Sequence, residues 1–343
     1  MTKLQIANIE QLDDLLSQPT DKVVEVLRQT PGDIVLLGVG GKMGPTLARM
    51  IVRATQQAGQ QRLVIGVSRF SDDSAADQLN AWGVETIAGD LLDENFVASL
   101  PDAPNVIAMT GMKFGASGNE GLTWAMNAYL PALVCNKYAH SRIAAFSTGN
   151  IYGLVPTTGR GSCEDDAPNP VGEYAMSALG RERMYEYFCQ KNNIPTTLIR
   201  LNYATELRYG VLVDLALQVY REQPIDVSMG HVNVIWQGDA NAMAICSLAD
   251  AATPAFKINV AGPEILSIRK ISEQFAAAFD KPANLIGKES PDALLNNGTK
   301  GQQLYGTPRI TVEQMIPMIV DWISNDRPLL GKPTHFESRS GKF

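Results

Sequence analysis

The chain has 343 residues, a formal net charge of −7 at pH 7 and 45% hydrophobic residues. This length and composition are typical of a folded globular protein with a full core, and they exclude general disorder. The acidic balance argues against nucleic acid or an anionic membrane surface as a partner, because both bind basic patches. No apolar run approaches the length of a membrane span and no basic-then-apolar leader opens the sequence, so we expect a cytoplasmic protein.

Cysteines and histidines give no sign of a metal site. The four cysteines, at positions 135, 163, 189 and 246, are scattered and form no Cys-x-x-Cys pair. Disulfides are possible, but a chain of this length does not need them, so we expect buried free thiols. The three histidines, His140, His231 and His335, are too dispersed to suggest metal ligands.

Residues 1–31 precede the first predicted strand and are interpreted as a helical arm. Two short amphipathic helices are predicted over 9–16 and 23–27, with Thr20 as the N-cap of the second. We expect this arm to pack on the outside of the following domain or against a partner subunit.

A glycine-rich turn follows the arm and organises the chain. The apolar run 34–37 leads into Gly38-Val39-Gly40-Gly41-Lys42-Met43-Gly44, and a helical pattern leads out of it. In this context Gly38, Gly41 and Gly44 permit a tight turn and a close approach of backbone N–H groups to a pyrophosphate at the helix N-terminus. The sequence therefore predicts a dinucleotide loop, which includes Lys42 and Met43. A purely structural strand-to-helix turn would look similar.

Strands and helices alternate along the rest of the first 200 residues. Apolar runs predict strands over 63–67, 84–91, 105–109, 143–146 and 196–201, and helical patterns cover 74–82, 122–139 and 174–190. This rhythm predicts the α/β class, with a Rossmann-like, doubly wound parallel sheet.

The later half is less regular and carries many Pro, Gly and Asn turn signals. We therefore expect a Rossmann domain over 32–202, to which a strand near 256–260 returns. Residues 203–330 are interpreted mostly as a small C-terminal substrate-binding lobe, and residues 331–343 as a tail.

A second motif lies at the end of the predicted fifth strand, Ser147-Thr148-Gly149-Asn150-Ile151-Tyr152-Gly153. Here the sequence resembles the extended short-chain dehydrogenases/reductases, the NAD(P)-dependent epimerase/dehydratase family. The resemblance covers about residues 32–325 and includes the glycine loop, Gly89-Asp90-Leu91, Asn127, Glu164, Tyr174 and Glu182.

The resemblance implies a role for each matching position. Thr148 would orient a substrate oxygen, and Tyr174 would be the acid/base that exchanges a proton with it during hydride transfer. The glycines would hold the pyrophosphate, Asp90 would contact the adenine with Leu91 beside it, and Thr110 would also lie at the cofactor. The alternatives are that Thr148 only ends a strand and that Tyr174 is only a helix-start aromatic residue.

The sequence departs from the family at one position. The family pattern Tyr-x-x-x-Lys reads Tyr174 to Ala178 here, and Glu182 fixes the alignment, so Ala178 replaces the lysine. In the family that lysine binds the nicotinamide ribose and lowers the tyrosine pKa. An unperturbed tyrosine titrates near about pH 10 and is a poor base at neutrality. We therefore expect Tyr174 to act chiefly as a proton donor, with Arg181 or Lys113 as candidate replacement cations.

Cofactor preference is predicted from the end of the second strand. An NAD site usually carries Asp or Glu there, whereas this chain has Ser68 and Arg69, and no carboxylate follows until Asp72. A hydroxyl and a guanidinium suit a 2′-phosphate, which favours NADP over NAD. The alternative is that Arg69 is only solvated.

Substrate class and function stay broad at this point. Val232 stands where nucleotide-sugar relatives carry an arginine before the aspartate that Asp239 matches, which favours a small sugar or sugar acid over a nucleotide diphosphate sugar. The first hypothesis is an NAD(P)-dependent oxidoreductase or epimerase with a small hydroxyl or carbonyl substrate. The second is a non-catalytic dinucleotide-binding regulator or scaffold. The helices 122–139 and 174–190 form a dimerising bundle in many relatives, so we expect a homodimer.

Overall fold

The computed structural model of the chain describes residues 5–70, 73–113 and 118–341. Within them the central sheet has seven strands, which are β1 (Ile34–Leu37), β2 (Val64–Ser68), β3 (Glu85–Ala88), β4 (Asn105–Ala108), β5 (Arg142–Thr148), β6 (Thr196–Leu201) and β7 (Phe256–Val260). They pair in parallel in the order β7-β6-β5-β4-β1-β2-β3. The predicted Rossmann-like, doubly wound parallel sheet is confirmed.

The strand order reverses beside β1, and this reversal locates the site. All residues of β1 and β4 are buried, as expected for central strands that have helices on both faces. The chain continues from β1 to β2 on one side and crosses to β4 on the other. In open α/β sheets, ligands bind beyond the carboxyl ends of the strands at such a reversal. Gly38 follows β1 directly and therefore stands at this position.

Helices cover the sheet and build the rest of the molecule. In the described residues they are α1 (Ile9–Leu16), α2 (Asp21–Gln29), α3 (Gly44–Gln57), α4 (Asp73–Ala81), α5 (Glu94–Ser99), α6 (Glu120–Trp124), α7 (Leu130–Lys137), α8 (Gly172–Asn192), α9 (Val211–Tyr220), α10 (Gln237–Cys246), α11 (Ile268–Phe279), α12 (Thr299–Tyr305) and α13 (Val312–Ser324). Two short 3₁₀ helices, Gly149–Tyr152 and Ser247–Asp250, follow β5 and α10.

The helix predicted over 122–139 is not one regular α-helix. A π-helical turn, Ala125–Tyr129, separates α6 from α7. Pro131 lacks the N–H that an α-helix would direct to the Asn127 carbonyl, and the Leu130 N–H bonds five residues back to Ala125. Asn127 therefore lies on a widened turn, a feature that often marks a functional site.

A second hydrophobic core lies beyond the sheet. It is formed by α9, α11 and α13 together with α1, and its largest buried side chains include Trp236, Phe275 and Trp322. Four pairs of short strands lie in the loops of the described residues: Ala204–Thr205 with Ile235–Trp236, His231–Val232 with Leu266–Ser267, Ile225–Asp226 with Leu285–Ile286, and Val155–Pro156 with Asp292–Ala293. This second core forms a lobe over the carboxyl edge of the sheet.

The N-terminal helices are part of both cores. Leu12 and Leu16 of α1 are buried in the second core, whereas Val23 and Leu27 of α2 pack beside α3 in the core of the sheet. Thr20 caps α2, since its side chain accepts a hydrogen bond from the Val23 N–H at 3.1 Å, as predicted. The arm thus fills the junction between sheet and lobe.

The C-terminal tail returns across the same junction. Phe336 is buried in the second core, and the Thr334 N–H and hydroxyl both donate to Asp214 Oδ2, at 2.8 and 2.6 Å. Gly341 lies against Gly172 at the start of α8. No helix in the described part of the chain is long and apolar enough to cross a membrane.

Candidate functional site

Two adjoining cavities lie at the carboxyl ends of the strands. The larger, of about 630 Å³, is beside the ends of β2 and β3 and is called the β2-side cavity. The smaller, of about 300 Å³, is bounded by the second lobe and is called the lobe-side cavity. Residues common to both linings mark where they join: Gly38, Gly41, Met109, Thr110 and Gly111. The two cavities therefore form one cleft, of a size that suits a ligand of several rings.

The three glycines of the loop are explained in different ways. Gly38 has a φ of +86°, which favours glycine, and a Cβ on Gly44 would overlap the Val39 carbonyl, so the fold itself requires both. Gly41 has no positive φ, and the nearest atom to an added Cβ would be the Gly38 oxygen at 3.4 Å, an ordinary contact. Gly41 lines both cavities. Because glycine has no side chain, the space beside Gly41 belongs to the cleft and not to the protein core.

Besides the shared Gly38, Gly41 and Thr110, the β2-side cavity brings together four of the predicted cofactor residues. Ser68, Arg69, Asp90 and Leu91 all line it. Arg69 and Asp90 are exposed and Leu91 is buried. Asp90 Oδ1 accepts a hydrogen bond from the Leu92 N–H at 3.0 Å, which orients the carboxylate at the end of β3. Asp72 lies outside the described residues.

The lobe-side cavity brings together the other predicted residues. Lys42, Met43, Gly44, Thr148 and Tyr174 line it. At the end of β5, Thr148 Oγ1 accepts hydrogen bonds from the Asn150 N–H at 3.2 Å and from its side-chain amide at 3.0 Å. Both acceptor positions of the hydroxyl are then used, so its hydrogen is left to be donated. A ligand oxygen in the cavity is the acceptor that this geometry suits.

Asn127 ties the loop after β4 to α8. Its amide accepts from the Met112 N–H at 3.0 Å and donates to the Met112 carbonyl at 3.1 Å and to Ser177 Oγ at 2.9 Å. Its Oδ1 also accepts from the Arg181 guanidinium. The π-turn therefore holds the loop that carries Lys113 against the helix that carries Tyr174. Phe114 and Gly115 of the same loop lie outside the described residues.

A buried ionic network lies beneath Thr148. Glu182 and Arg200 form an ion pair at 2.8 Å, and their side chains are 0% and 2% exposed. Ser147 Oγ donates to Glu182 Oε1 at 2.6 Å, and Arg200 donates to the Tyr152 hydroxyl at 2.6 Å. This network joins the end of β5 to β6 and α8. It fixes Thr148 relative to the helix of Tyr174.

Ala178, the residue that replaces the family lysine, contributes no surface to the cleft. It is fully buried against Ile151 and Tyr152 and lines neither cavity. The charged side chains that do line the lobe-side cavity are Lys42, Lys113 and Arg181. Arg181 therefore reaches the cavity despite standing two turns after Tyr174. Its guanidinium also donates to the Phe146 carbonyl at 2.9 Å.

Several residues of the lobe-side cavity had no local motif in the sequence. They are Asn202, Tyr203, Tyr209, Gln237 and Thr334. Thr334 and Tyr209 come from the tail and from the loop before α9, which only the tertiary fold brings to β1. A non-glycine residue with positive φ, Tyr203 at +40°, is an indication of a special position that is visible in coordinates alone.

Val232 and Asp239, the residues from which the substrate class was predicted, have structural roles. Val232 is buried in the second core, and Asp239 accepts from Arg309 Nε at 2.9 Å. Neither residue lines the two cavities. Among the described residues, no group of three or more His, Cys, Asp or Glu is arranged to hold a metal ion.

Comparison with models of protein families identifies the family of this chain. Residues 34–204 match the model of the NAD dependent epimerase/dehydratase family. The chain belongs to this family. The matched segment runs from β1 to the residues after β6 and includes the glycine loop, Thr148 and Tyr174. No curated protein matches the sequence significantly.

Solved structures share the fold at low sequence identity. The UDP-glucose 4-epimerase of Thermus thermophilus, a complex with NAD, is 17% identical, covers 84% of this chain and 98% of its own, and has a TM-score of 0.68. The dTDP-glucose 4,6-dehydratase of Bacillus anthracis, in complex with NAD, is 14% identical, covers 86% and 97%, and has a TM-score of 0.70. The UDP-glucuronic acid 4-epimerase of Bacillus cereus, in complex with UDP-glucuronic acid and NAD, is 15% identical, covers 85% and 99%, and has a TM-score of 0.70.

Proposed function

We propose that this chain is an NAD(P)-dependent oxidoreductase or epimerase that acts on a small hydroxyl or carbonyl compound such as a sugar or sugar acid. One observation carries the proposal: a single cleft extends from the ends of β2 and β3, past the glycine loop, to Thr148 and Tyr174. Family membership and the NAD complexes among the structural neighbours support it.

The cleft fits a dinucleotide. Gly41 has no role in the packing of the fold, yet a side chain there would fill the junction of the two cavities. Backbone N–H groups of this loop and the N-terminus of α3 suit a diphosphate. Gly38, Gly41, Lys42, Met43, Gly44 and Thr110 would surround that part, while Ser68, Arg69, Asp90 and Leu91 would hold the adenosine half. When bound, the dinucleotide supplies hydride transfer.

Thr148 and Tyr174 would act on the substrate oxygen. Thr148 Oγ1 accepts two hydrogen bonds from Asn150, which leaves its hydrogen to be donated, and that hydrogen would orient the substrate oxygen. The Tyr174 phenol would exchange a proton with the same oxygen. Because Ala178 supplies no cation, Tyr174 would serve mainly as a donor, in reduction or in the return half of an epimerisation.

We also propose that NADP is preferred to NAD. This rests on Ser68 and Arg69, which line the β2-side cavity at the end of β2. The NAD in the structural neighbours supports dinucleotide binding by this chain. Because NAD has no 2′-phosphate, it does not support a preference for NADP. Fluorescence titration of the purified chain with NADPH and NADH tests both points. Binding of neither cofactor would remove the enzyme proposal.

Turnover distinguishes the enzyme from a non-catalytic regulator. A panel of sugars, sugar acids and polyols is offered with NAD and NADP, and the wild type is compared with Tyr174→Phe. We expect turnover with one class of substrate and loss of most of it in the variant, with cofactor affinity unchanged. Cofactor binding without any turnover would favour the regulator, which Ala178 already suggests. Near-normal turnover in Tyr174→Phe would make Lys113 the next candidate acid.

A homodimer is proposed from one apolar surface. Among the described residues, the helices α6 to α8 and the π-turn expose five large hydrophobic side chains by 40% to 53%: Leu122, Trp124, Tyr129, Met176 and Tyr187. Light scattering should give twice the chain mass. Met176→Glu with Tyr187→Glu should give a monomer, whereas Ile286→Glu, an exposed residue outside this surface, should not. A monomeric wild type would refute the proposal.

A further inference from the structure

The charge of the lobe-side cavity is opposite to that of the chain. Lys42, Lys113 and Arg181 line it, and no Asp or Glu appears among the described residues of its lining. The whole chain carries 36 acidic and 29 basic residues, with a net charge of −7. A cavity whose charged lining residues, among those described, are all cationic indicates a ligand with negative charge in an acidic protein.

The two lysines are held toward the substrate half of the cleft. Lys42 leaves the glycine loop and places its ammonium 3.3 Å from the centroid of the Tyr209 ring, which belongs to the lobe. Lys113 Nζ donates to the Thr334 carbonyl of the tail at 3.3 Å. Both line the lobe-side cavity and neither lines the β2-side cavity. They therefore lie in a different cavity from Ser68, Arg69, Asp90 and Leu91, the residues proposed to hold the adenosine half of the cofactor.

Other charged groups near the two lysines form hydrogen bonds within the protein. Arg181 donates to Asn127 and to the Phe146 carbonyl, so it supports the cavity wall. Asp214 accepts from Thr334, and Glu206 accepts from Arg208 Nε at 3.1 Å. The carboxylates that lie behind the lysines are therefore turned to other partners and do not line the cavity.

Burial and mutual repulsion act on these lysines. Burial, with the charges of Lys332 and Lys113, lowers the pKa of Lys42 to about 7. Burial lowers the pKa of Lys113 to about 8, although Glu337 and Asp214 oppose this shift. An anion beside two such ammonium groups would favour their charged forms.

The size of the cavity limits the ligand. Its volume of about 300 Å³ is at the lower end for small-molecule sites, and Thr334 of the tail forms part of its wall. The nicotinamide half of the dinucleotide would also enter this cavity, so the remaining space suits a compound no larger than a monosaccharide.

We infer that the substrate is a small sugar carrying a carboxylate or phosphate group, and that Lys42 and Lys113 bind that group. This inference rests on the proposed function, because it takes the lobe-side cavity as the substrate site. It assigns the two ammonium groups to substrate recognition and leaves the contact of Lys42 with the cofactor diphosphate to its backbone.

Matched pairs of ligands test the inference without requiring turnover. Calorimetry on the full chain, with and without NADP, compares glucuronate with glucose, galacturonate with galactose, and ribose 5-phosphate with ribose. We expect at least one acid to bind about tenfold or more tightly than its neutral partner. Lys42→Met and Lys113→Met should each remove most of that preference. Lys270→Met, which changes an exposed lysine of α11, should keep it.

The outcomes separate this inference from the proposed function. If cofactor binds but no acid exceeds its neutral partner, the inference is wrong and the proposed function stands. If Lys42→Met weakens the cofactor while the acid preference survives in both variants, the lysines serve the cofactor and the inference is also wrong. Acid preference without dinucleotide binding would support the anion site and remove the proposed function. Thermal melts check that each variant is folded, and Lys42→Arg should retain the preference.

Discussion

The two ends of the cleft are constructed by different physical means. The β2-side cavity is formed by short turns that directly follow β1, β2 and β3, and two of its polar residues, Arg69 and Asp90, are exposed. The lobe-side cavity is formed by residues from distant parts of the chain, such as Lys42, Tyr209 and Thr334, over a buried ionic network. One end depends on local backbone shape and the other on long-range packing.

This difference has a consequence for mutation. Changes at the β2-side cavity should alter ligand affinity and leave stability nearly constant, because little of the fold depends on its exposed side chains. Changes beneath the lobe-side cavity should alter stability first, because buried charges and hydrogen bonds are involved there.

The largest expected effect is in the network beneath Thr148. Glu182→Gln removes the charge that compensates buried Arg200, so we expect a loss of about 3 kcal/mol or more in the free energy of unfolding. Urea denaturation measures it. Glu186→Gln on the same helix breaks a partly exposed pair with Lys257 at 2.7 Å and should cost at most about 1 kcal/mol. Equal losses in both variants would show that the network does not support this end of the cleft.

The second effect concerns the glycine loop. Gly41→Val should weaken NADPH or NADH binding by about 100-fold, because its side chain would fill the junction of the cavities. Its stability should change by no more than about 1 kcal/mol, since an added Cβ makes only an ordinary contact with the Gly38 oxygen, at 3.4 Å. Gly121→Val, in α6 with no neighbour within 4 Å of an added Cβ, is the control for affinity. A destabilised variant with normal affinity would assign Gly41 to the fold.

The third effect is at the exposed edge of the β2-side cavity. Arg69→Ala should reduce the preference for NADPH over NADH by about tenfold, because it removes the cation expected at the 2′-phosphate. The affinity for NADH and the melting temperature should hardly change. Arg221→Ala, another exposed arginine, controls for net charge. If the ratio of the two affinities stays constant, Arg69 is only solvated and the NADP preference has no basis.

The same difference explains how much could be predicted from the sequence. The strands β1, β6 and β7 have the predicted bounds, and β1 is the simplest case because this buried central strand is a continuous apolar run. β5 extends past the predicted 146 to Thr148, because Glu182 and Asn150 satisfy the polar side chains of Ser147 and Thr148. Hydrophobic pattern alone could not show that compensation.

The residues of the candidate site also differ in how well the sequence predicts their positions. The glycine loop, Asp90 and Thr148 follow strands directly, so their common edge follows from the parallel sheet. The approach of Tyr209 and of Thr334 to that edge depends on packing of the lobe and tail, for which no local pattern exists. The helix predicted over 122–139 does not include the π-turn at Asn127, although Pro131 inside it is a signal of such an irregularity.

The smallest expected effect tests whether the cationic end of the cleft has a cost in stability. Burial first, then the charges of Lys332 and Lys113, lowers the pKa of Lys42 to about 7, against Asp214 and Glu206, which raise it. An unfolded lysine titrates near about 10.4, so between these values the unfolded chain binds more protons and this group's contribution to stability rises with pH. Its destabilising effect is complete below about pH 7 and absent above about pH 10.5. Lys42 is only half-buried, so solvent screening keeps the effect within about 1 kcal/mol.

Lys42→Met removes this titration. The melting temperature of the variant relative to wild type should therefore be higher at pH 6.5 than at pH 9.5, by a few degrees at most. The lost contact with the Tyr209 ring lowers the stability of the variant and is itself stronger when Lys42 is charged, so it reduces the difference without reversing the trend expected from burial. Lys270→Met, at an exposed site, should give the same difference at both pH values. If Lys42→Met also shows no change with pH, the ammonium is as well solvated as a surface lysine, and the lobe-side end carries no electrostatic cost that a bound anion could relieve.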